Sequence, residues 1–596
     1  MSPSPSSPST PRPEISPGTA TAAAHSPSNG SHRLGSALRA ARSLLPGSAD
    51  YRDLRRTWKG DLIGGVTVGI VALPLALGFG VSSGLTAEQG LVTAIVAGML
   101  AAVFGGSNVQ VSGPTGAMVV VLLPIVATQG AGAVAAVTLL AGVIVVLAGA
   151  LRLGRVVGVI PWPVIEGFTL GIACIIGMQQ LPLITSAHQA EPGELSSNAI
   201  VAAVQSLLAM DPAHFVWGLG AVAIVVACMI ISPRIHRSIP GSLVGIAVVT
   251  ALAAVLPTPL ARIGTIPSAL PAPSLPTLDL GAMGTLLPAA ATVAALAAIE
   301  SLLSARVAAG LADTGVYDPD RELVGQGVAS IGASLFGGMP ATGAIARTSV
   351  NVRAGGRTRL ASVIHALVLL AVVYAASGPV GMIPLAALAG VLIMTAVRMV
   401  HLATARTLLR STKADAATFA LTALITVSFD LIAAVLIGVT LAAIFSLRTV
   451  SRSSGVALEP VRTADPEPGD EEIIAVRFTG QLFFISADRV FDTVMSVGPV
   501  TVVILRVSML ELVDATGARV LENIVRGLEG RGITVLLKGM RQGHTELFDT
   551  VGVLRALRHH KHVFADFDGA LEHARSHVRR AHAARADTPV EATAKD

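Results

Sequence analysis

Between residues 62 and 447 the chain is a succession of apolar stretches, broken by Gly, Pro and short Arg-bearing segments. About fourteen can be counted, two of them short, and each approaches the roughly 20 residues a helix needs to cross a bilayer. The pattern predicts an all-α, multi-pass membrane domain over residues 50–452. Residues 1–49, beginning MSPSPSSPSTPRPEISPG, are polar and Ser/Pro-rich, and predict a disordered tail. They lack the basic start, apolar run and cleavage site of a signal peptide, so none is expected. After Arg452 the pattern changes. Residues 453–471, with ADPEPGDEE, read as an acidic linker. Residues 472–577 alternate strands (IIAVRF, TVVILRV, ITVLLKG) with helices (ATGARVLENIVRGL, HTELFDTVGVLRAL), the pattern of a small α/β domain with a mainly parallel sheet. Residues 578–596 read as a flexible tail.

Composition agrees with lipid as the main solvent: 52% of the residues are hydrophobic and 13% charged, against about 25% charged in soluble proteins. The net charge of +5 could point to nucleic acid. Its arginines, however, flank apolar segments, which is a membrane boundary pattern, and no nucleic-acid partner is expected. Cys174 and Cys228 both lie in apolar runs, which rules out a disulfide framework and argues against zinc. No nucleophile, metal cluster or phosphate-binding loop stands out in the soluble domain, so neither an enzyme nor a metal or cofactor is expected.

Charge also predicts orientation. With Arg52, Arg55, Arg56 and Lys59 in the cytoplasm, alternating spans bring Arg152/Arg155, Arg234/Arg237, Arg306/Arg321, Arg353/Arg357/Arg359, Arg398/Arg406/Arg410 and Arg448/Arg452 to the same side. The opposite side receives only Arg262 from its two longest loops, 179–212 and 257–283. This split predicts an even number of spans, with both termini in the cytoplasm of a cell bounded by this membrane.

One motif occurs twice. Phe104-Gly105-Gly106 leads through SNVQVSG into Pro114-Thr115-Gly116-Ala117; Phe336-Gly337-Gly338 leads through Met339 into Pro340-Ala341-Thr342-Gly343-Ala344. Broken backbone at membrane depth persists only where protein buries it or it lines a polar cavity. The copies fall about seven spans apart, and an odd number inverts one repeat relative to the other, as in transporters with a midplane site. Two half-helix N-termini would then face one cavity with free N–H groups and positive dipole ends, a site for an anion. Arg347, one turn into the second half-helix, would add a full positive charge; the alternative is an arginine snorkelling at the boundary. Glu300 is the carboxylate of an otherwise apolar span and is expected to carry a coupling proton; the alternative is a static Glu300–Arg347 pair or a structural hydrogen bond. Glu166, Asp313 and Glu322 read as solvated or capping residues near loops, and Asp61 and Asp430 as helix starts.

The stretch IESLLSARVAAGLADTGVYDPDRELVGQGVASIGASLFGGMPATGAIARTSVNVRAGGRTRLASVIHA, with GDLIGGVTVGIVALPLALGFG and VSGPTGAMVVVLLP, closely resembles the sulfate permease (SulP) family of anion transporters. LELVDATGARVLENIVRGLEGRGITVLLKGM resembles a STAS domain. The resemblance covers residues 60–575. It implies two inverted seven-span repeats arranged as core and gate domains, an elevator-like movement and a homodimer. It also implies an anion site at Thr115, Gly116, Ala117, Gly343, Ala344 and Ile345, with Arg347 nearby and Glu300 as the coupling carboxylate. Sodium-dependent bicarbonate members tend to carry Asp and Thr where this chain has Glu300 and Ile345, which favours a proton gradient over sodium. The expected activity is proton-coupled uptake of a small anion, sulfate first. Bicarbonate, a dicarboxylate, or uncoupled exchange or channel activity are the alternatives. In free-standing STAS domains the turn matching Asp514-Ala515-Thr516-Gly517 carries a phosphorylated residue, here Thr516; the alternative is a helix capped by Asp514 without modification. A cytoplasmic partner of the STAS domain would go with such a role.

Overall fold

A computed structural model describes residues 42, 44–47, 50 and 53–586, except 158–159, 186–195, 197, 237–238, 279, 312–314, 316, 429–430, 454, 464 and 485. Most of the 1–49 tail, the last ten residues, Asp313 and Asp430 therefore lie outside the described residues. The chain divides into two compact units, 1–159 with 176–395 and 160–175 with 396–596.

The first unit is helical. Among the described residues of the whole chain, eight helices are long and apolar enough to cross a membrane. The helices that build the site, not all of them of spanning length, are α1 (Leu54–Ser82), α2 (Ala87–Phe104), α3 (Gly116–Gln129), α4 (Gly132–Ala150), α5 (Met283–Leu311), α6 (Pro319–Leu335), α7 (Ile345–Arg353) and α8 (Arg359–Gly381). Polar signals set their starts: a Thr86/Gln89 capping box opens α2, Asp318 with Pro319 opens α6, and Thr358 caps α8. The inward faces are lined by small residues, including Ala72 and Ala76 on α1 and Ala97 and Ala101 on α2, so backbones approach closely. Leu208 and Val255 in the same unit remain 83% and 82% exposed. Hydrocarbon, not water, solvates such surface, and the chain is a multi-pass membrane protein.

The second unit contains the soluble domain, a five-stranded sheet in the order β3-β4-β5-β6-β7. These are β3 (Gly455–Pro460), β4 (Ile473–Leu482), β5 (Val502–Val513), β6 (Thr534–Lys538) and β7 (Val563–Phe564). Its last four strands are parallel, as expected, but β3 pairs antiparallel with β4 along the sheet edge. Helices α9 (Ala487–Met495), α10 (Ala515–Gly530), α11 (Gln542–Val551) and α12 (Phe567–Ala586) complete it.

Two boundaries need correction. The segment read as a linker, 453–471, holds strand β3, and its acidic residues are bound: Asp470 and Glu467 accept from Arg575 at 2.7 and 2.9 Å. The segment read as a tail from residue 578 belongs to α12 as far as Ala586. Ala570, Leu571, Ala574 and Val578 recur at helical spacing and pack on Ile473, Val502, Ile504 and Leu536. The charges on its other face had hidden that stripe.

Candidate functional site

Two very short strands bring the site together. Strand β1 (Ser112–Gly113) pairs antiparallel with β2 (Thr342–Gly343), placing Ser112 opposite Gly343 and Gly113 opposite Thr342. Ala344 N–H extends the ladder to the Val111 carbonyl at 2.9 Å. β1 leads into α3 and β2 into α7, so the two helices leave the ladder in opposite directions with their N-termini at it. With 14 and 9 residues, they are about 21 and 14 Å long, short of the roughly 30 Å hydrocarbon core. Their N-cap residues, Thr115 and Ala344, are extended and neither side chain bonds the first helical amides. Those donors, with the positive dipole ends behind them, are available to an anion.

The repeated Thr-Gly-Ala does not mark equivalent positions. Thr115 is the N-cap of α3, whereas Thr342 lies in β2, two residues before the N-cap Ala344. The shift lets the two threonines meet. Both hydroxyls donate to Oε2 of Glu300, at 2.8 Å from Thr115 and 2.7 Å from Thr342, and the hydroxyls lie 3.2 Å apart. One carboxylate oxygen on α5 thus ties the start of α3 to β2. The same face of α5 does more: the Ser301 hydroxyl accepts from Gly343 N–H at 3.1 Å, and Ser304 meets Thr348 at 3.4 Å.

Arg347 is 2% exposed, so the snorkelling alternative does not hold. From α7 its Nη2 reaches the Pro114 carbonyl, just ahead of α3, at 2.6 Å, while Nη1 has no hydrogen-bond partner among the described residues. The static Glu300–Arg347 pair does not form either, whereas the structural hydrogen bonds do: Glu300 is taken up by the two threonines and Arg347 by Pro114. Two glycines leave room for this. Gly113 has φ +152°, and a Cβ there would stand 2.8 Å from Nη1 of Arg347. A Cβ at Gly343 would stand 1.7 Å from Nε2 of Gln110.

Of the residues named from the sequence, Thr115, Gly116, Ala117, Gly343, Ala344, Ile345, Arg347 and Glu300 all fall at or beside this ladder. Thr342, Ser301 and Thr348 were missed, although Thr342 stands inside the second motif copy. Glu322 was misread as solvated or capping. It is 1% exposed and accepts from Gly106 N–H (2.8 Å), Ser107 N–H (3.1 Å), Gln110 Nε2 (2.9 Å) and Gln326 Nε2 (2.9 Å). Four donors on one buried carboxylate fix the Gly105-Gly106 turn ahead of β1. Asp61 does not start its own helix. It lies buried within α1 and accepts from Arg357 and Thr358 N–H at 2.7 and 2.9 Å, closing the start of α8. Glu166 accepts from Trp162 Nε1 at 3.2 Å. Thr516 is exposed on the first turn of α10, beside Asp514, whose Oδ1 accepts from Gly517 N–H at 2.7 Å.

A family model described as the sulfate permease family matches residues 58–422, and a STAS domain model matches 467–570. The chain belongs to the sulfate permease family. Among its relatives in that family, the putative sulfate transporter YvdB of Bacillus subtilis is 33% identical over 505 residues, covering 83% of this chain and 94% of that protein. The bicarbonate transporter BicA of Picosynechococcus is 30% identical over 499 residues, covering 79% and 86%. The solved transmembrane domain of a cyanobacterial BicA matches at 30% identity with a TM-score of 0.57, over 65% of this chain and 98% of that one. The structure of SLC26A9 matches with a TM-score of 0.78 over 96% and 99%; at 18% identity this shows a shared fold. This permease therefore carries an SLC26-like helical membrane domain followed by a STAS domain.

Proposed function

We propose that this permease is a secondary transporter that takes up a small anion, sulfate foremost, with the proton as coupling ion. The observation that carries the reading is the convergence of two uncapped helix N-termini and a buried arginine on one short ladder that Glu300 holds. Charge arithmetic links anion to proton. Two dipole ends of about +0.5 each and one guanidinium give about +2, which matches a dianion when Glu300 is protonated. An ionised Glu300 lowers the sum to about +1, which suits a monovalent anion. Protonation also alters the bonds to Thr115 and Thr342, which tie the two half-helices together. The relatives named for sulfate transport support sulfate; the BicA match favours bicarbonate as second reading. An inverted-repeat core and gate, a homodimer, both termini in the cytoplasm and a STAS partner belong to the same proposal.

The test is uptake of labelled sulfate, bicarbonate and succinate into proteoliposomes under imposed proton or sodium gradients. Sulfate accumulation driven by an inward proton gradient is expected. Glu300→Gln should abolish that drive while labelled sulfate still exchanges. Unchanged gradient dependence in the variant rejects the proton role, and accumulation of bicarbonate alone rejects sulfate.

A further inference from the structure

The parallel end of the STAS sheet carries a group of histidines that the transport reading does not use. His562 closes the 3-10 turn His560–His562 that leads into β7, and His573 and His577 stand one turn apart on α12. Their ring centroids form a near-equilateral triangle of 5.4, 5.3 and 5.0 Å. The rings meet edge to face, and one ligand atom from each histidine lies within 4.8 Å of the others. This departs from the sequence reading, which found no metal cluster in this domain. The ten residues between His562 and His573 concealed it, and only the packing of α12 against the sheet closes that gap.

We propose that His562, His573 and His577 form a binding site for a divalent transition-metal ion of the zinc class, with a fourth position open to water. The spacing of two imidazoles at i and i+4 on a helix is the spacing by which helical histidines share one metal. Nε2 of His573 and Nε2 of His577 are 3.3 Å apart. Two nitrogens bound at about 2.0–2.1 Å in a tetrahedral arrangement would be separated by about 3.3 Å. His562 is 4% exposed, and its Nδ1 has no hydrogen-bond partner among the described residues while the Val535 backbone bonds the ring. That is a buried nitrogen with its ring already oriented, as metal-ligating histidines commonly are. Burial, then neighbouring cations and imidazoles, holds all three rings below the ordinary histidine range, His577 at about 4. An all-imidazole donor set suits zinc, nickel or copper and offers nothing to calcium or magnesium, which need oxygen.

The ion would act as a staple. Strand β7 pairs with β6 through only two residue pairs, and α12 covers this end of the sheet. A metal bridging the turn before β7 to α12 would hold both in place.

The tag-free full-length protein in detergent, titrated with Zn2+ by calorimetry and with Co2+ by visible absorption, tests the site. One Zn2+ per chain and the intense visible bands of four-coordinate Co2+ are expected. In His573→Gln/His577→Gln affinity should fall by on the order of 100-fold, at or beyond the upper end of the loss for an outer-shell partner. His214→Gln, far along the chain, should leave stoichiometry unchanged. Both substituted histidines sit on the partly exposed face of α12, so the metal-free melting temperature should stay at the wild-type value. The single variant His577→Gln serves where the double variant does not fold. Absence of saturable zinc binding in the wild type overturns the proposal by itself, and so does unchanged zinc affinity in a folded variant.

Discussion

At the scale of single residues, Arg347 does two things at once: it bridges the two half-helices through Pro114 and leaves Nη1 without a hydrogen-bond partner among the described residues. Lysine keeps the charge but lacks the planar fork that allows both. Arg347→Lys should raise KM for the anion about tenfold, equivalent to about 1.4 kcal/mol, read from initial uptake rates. Gly343 is constrained by contact: an added Cβ meets the Gln110 amide, itself tied to Glu322. Gly343→Ala should cost about 1–3 kcal/mol by overpacking, seen as a lower melting temperature, with uptake lost before the fold is. At Thr516 a phosphate would add charge beside the Asp514 carboxylate that already occupies the α10 N-terminus, so modification there would loosen this cap rather than strengthen it.

Among elements, the short ones form the candidate site and the long ones hold them. α3 and α7 cannot cross a bilayer, and four residues of strand keep their starts in register. Glu322 on α6 and Glu300 on α5 serve as anchors, each bonded to backbone or hydroxyl donors of the broken segments. In the STAS domain the corresponding support is the pairing of Arg575 on α12 with Asp470 and Glu467 ahead of β4. Asp470→Asn removes one charged partner from a half-buried pair and should weaken α12 docking by about 1.5–3 kcal/mol. Amide exchange in α12 should then rise at least tenfold, while the β5 amides stay protected; equal exchange in α12 would show that the apolar stripe alone holds the helix.

For the whole molecule, orientation is the open quantity that charge can decide. Several arginines counted as loop charges are structural: Arg321 pairs with Asp50 at 2.8 Å, and Arg359 donates to the Gly105 carbonyl at 2.6 Å, closing the end of α2. Arg262, the lone basic residue of its loop, likewise donates to the Ala253 carbonyl at 2.7 Å. Its position is explained by a helix end and does not weaken the charge asymmetry. With Cys174 and Cys228 replaced by Ser, a cysteine at the exposed Ser411 should react with a membrane-impermeant reagent only from the cytoplasmic side. One at the exposed Ser268 should react only from outside. The reverse pattern would invert the topology.

The sequence by itself determined that lipid solvates most of the chain, that a small α/β domain follows, where the backbone breaks within the apolar segments, and that Glu300 and Arg347 are charges lying within them. These follow from local quantities: run length, charge count, and the cost of broken helix or bare charge in hydrocarbon. Tertiary structure alone decided that Thr342, and not the N-cap Ala344, faces Thr115, that Glu322 is an anchor, that Arg347 bridges to Pro114 without pairing to Glu300, and that three histidines meet behind the sheet. Each of these depends on the register of strands or the facing of helices far apart in the chain. A one-residue shift in β1 against β2 would change every partner, and no local pattern records which register is the packed one.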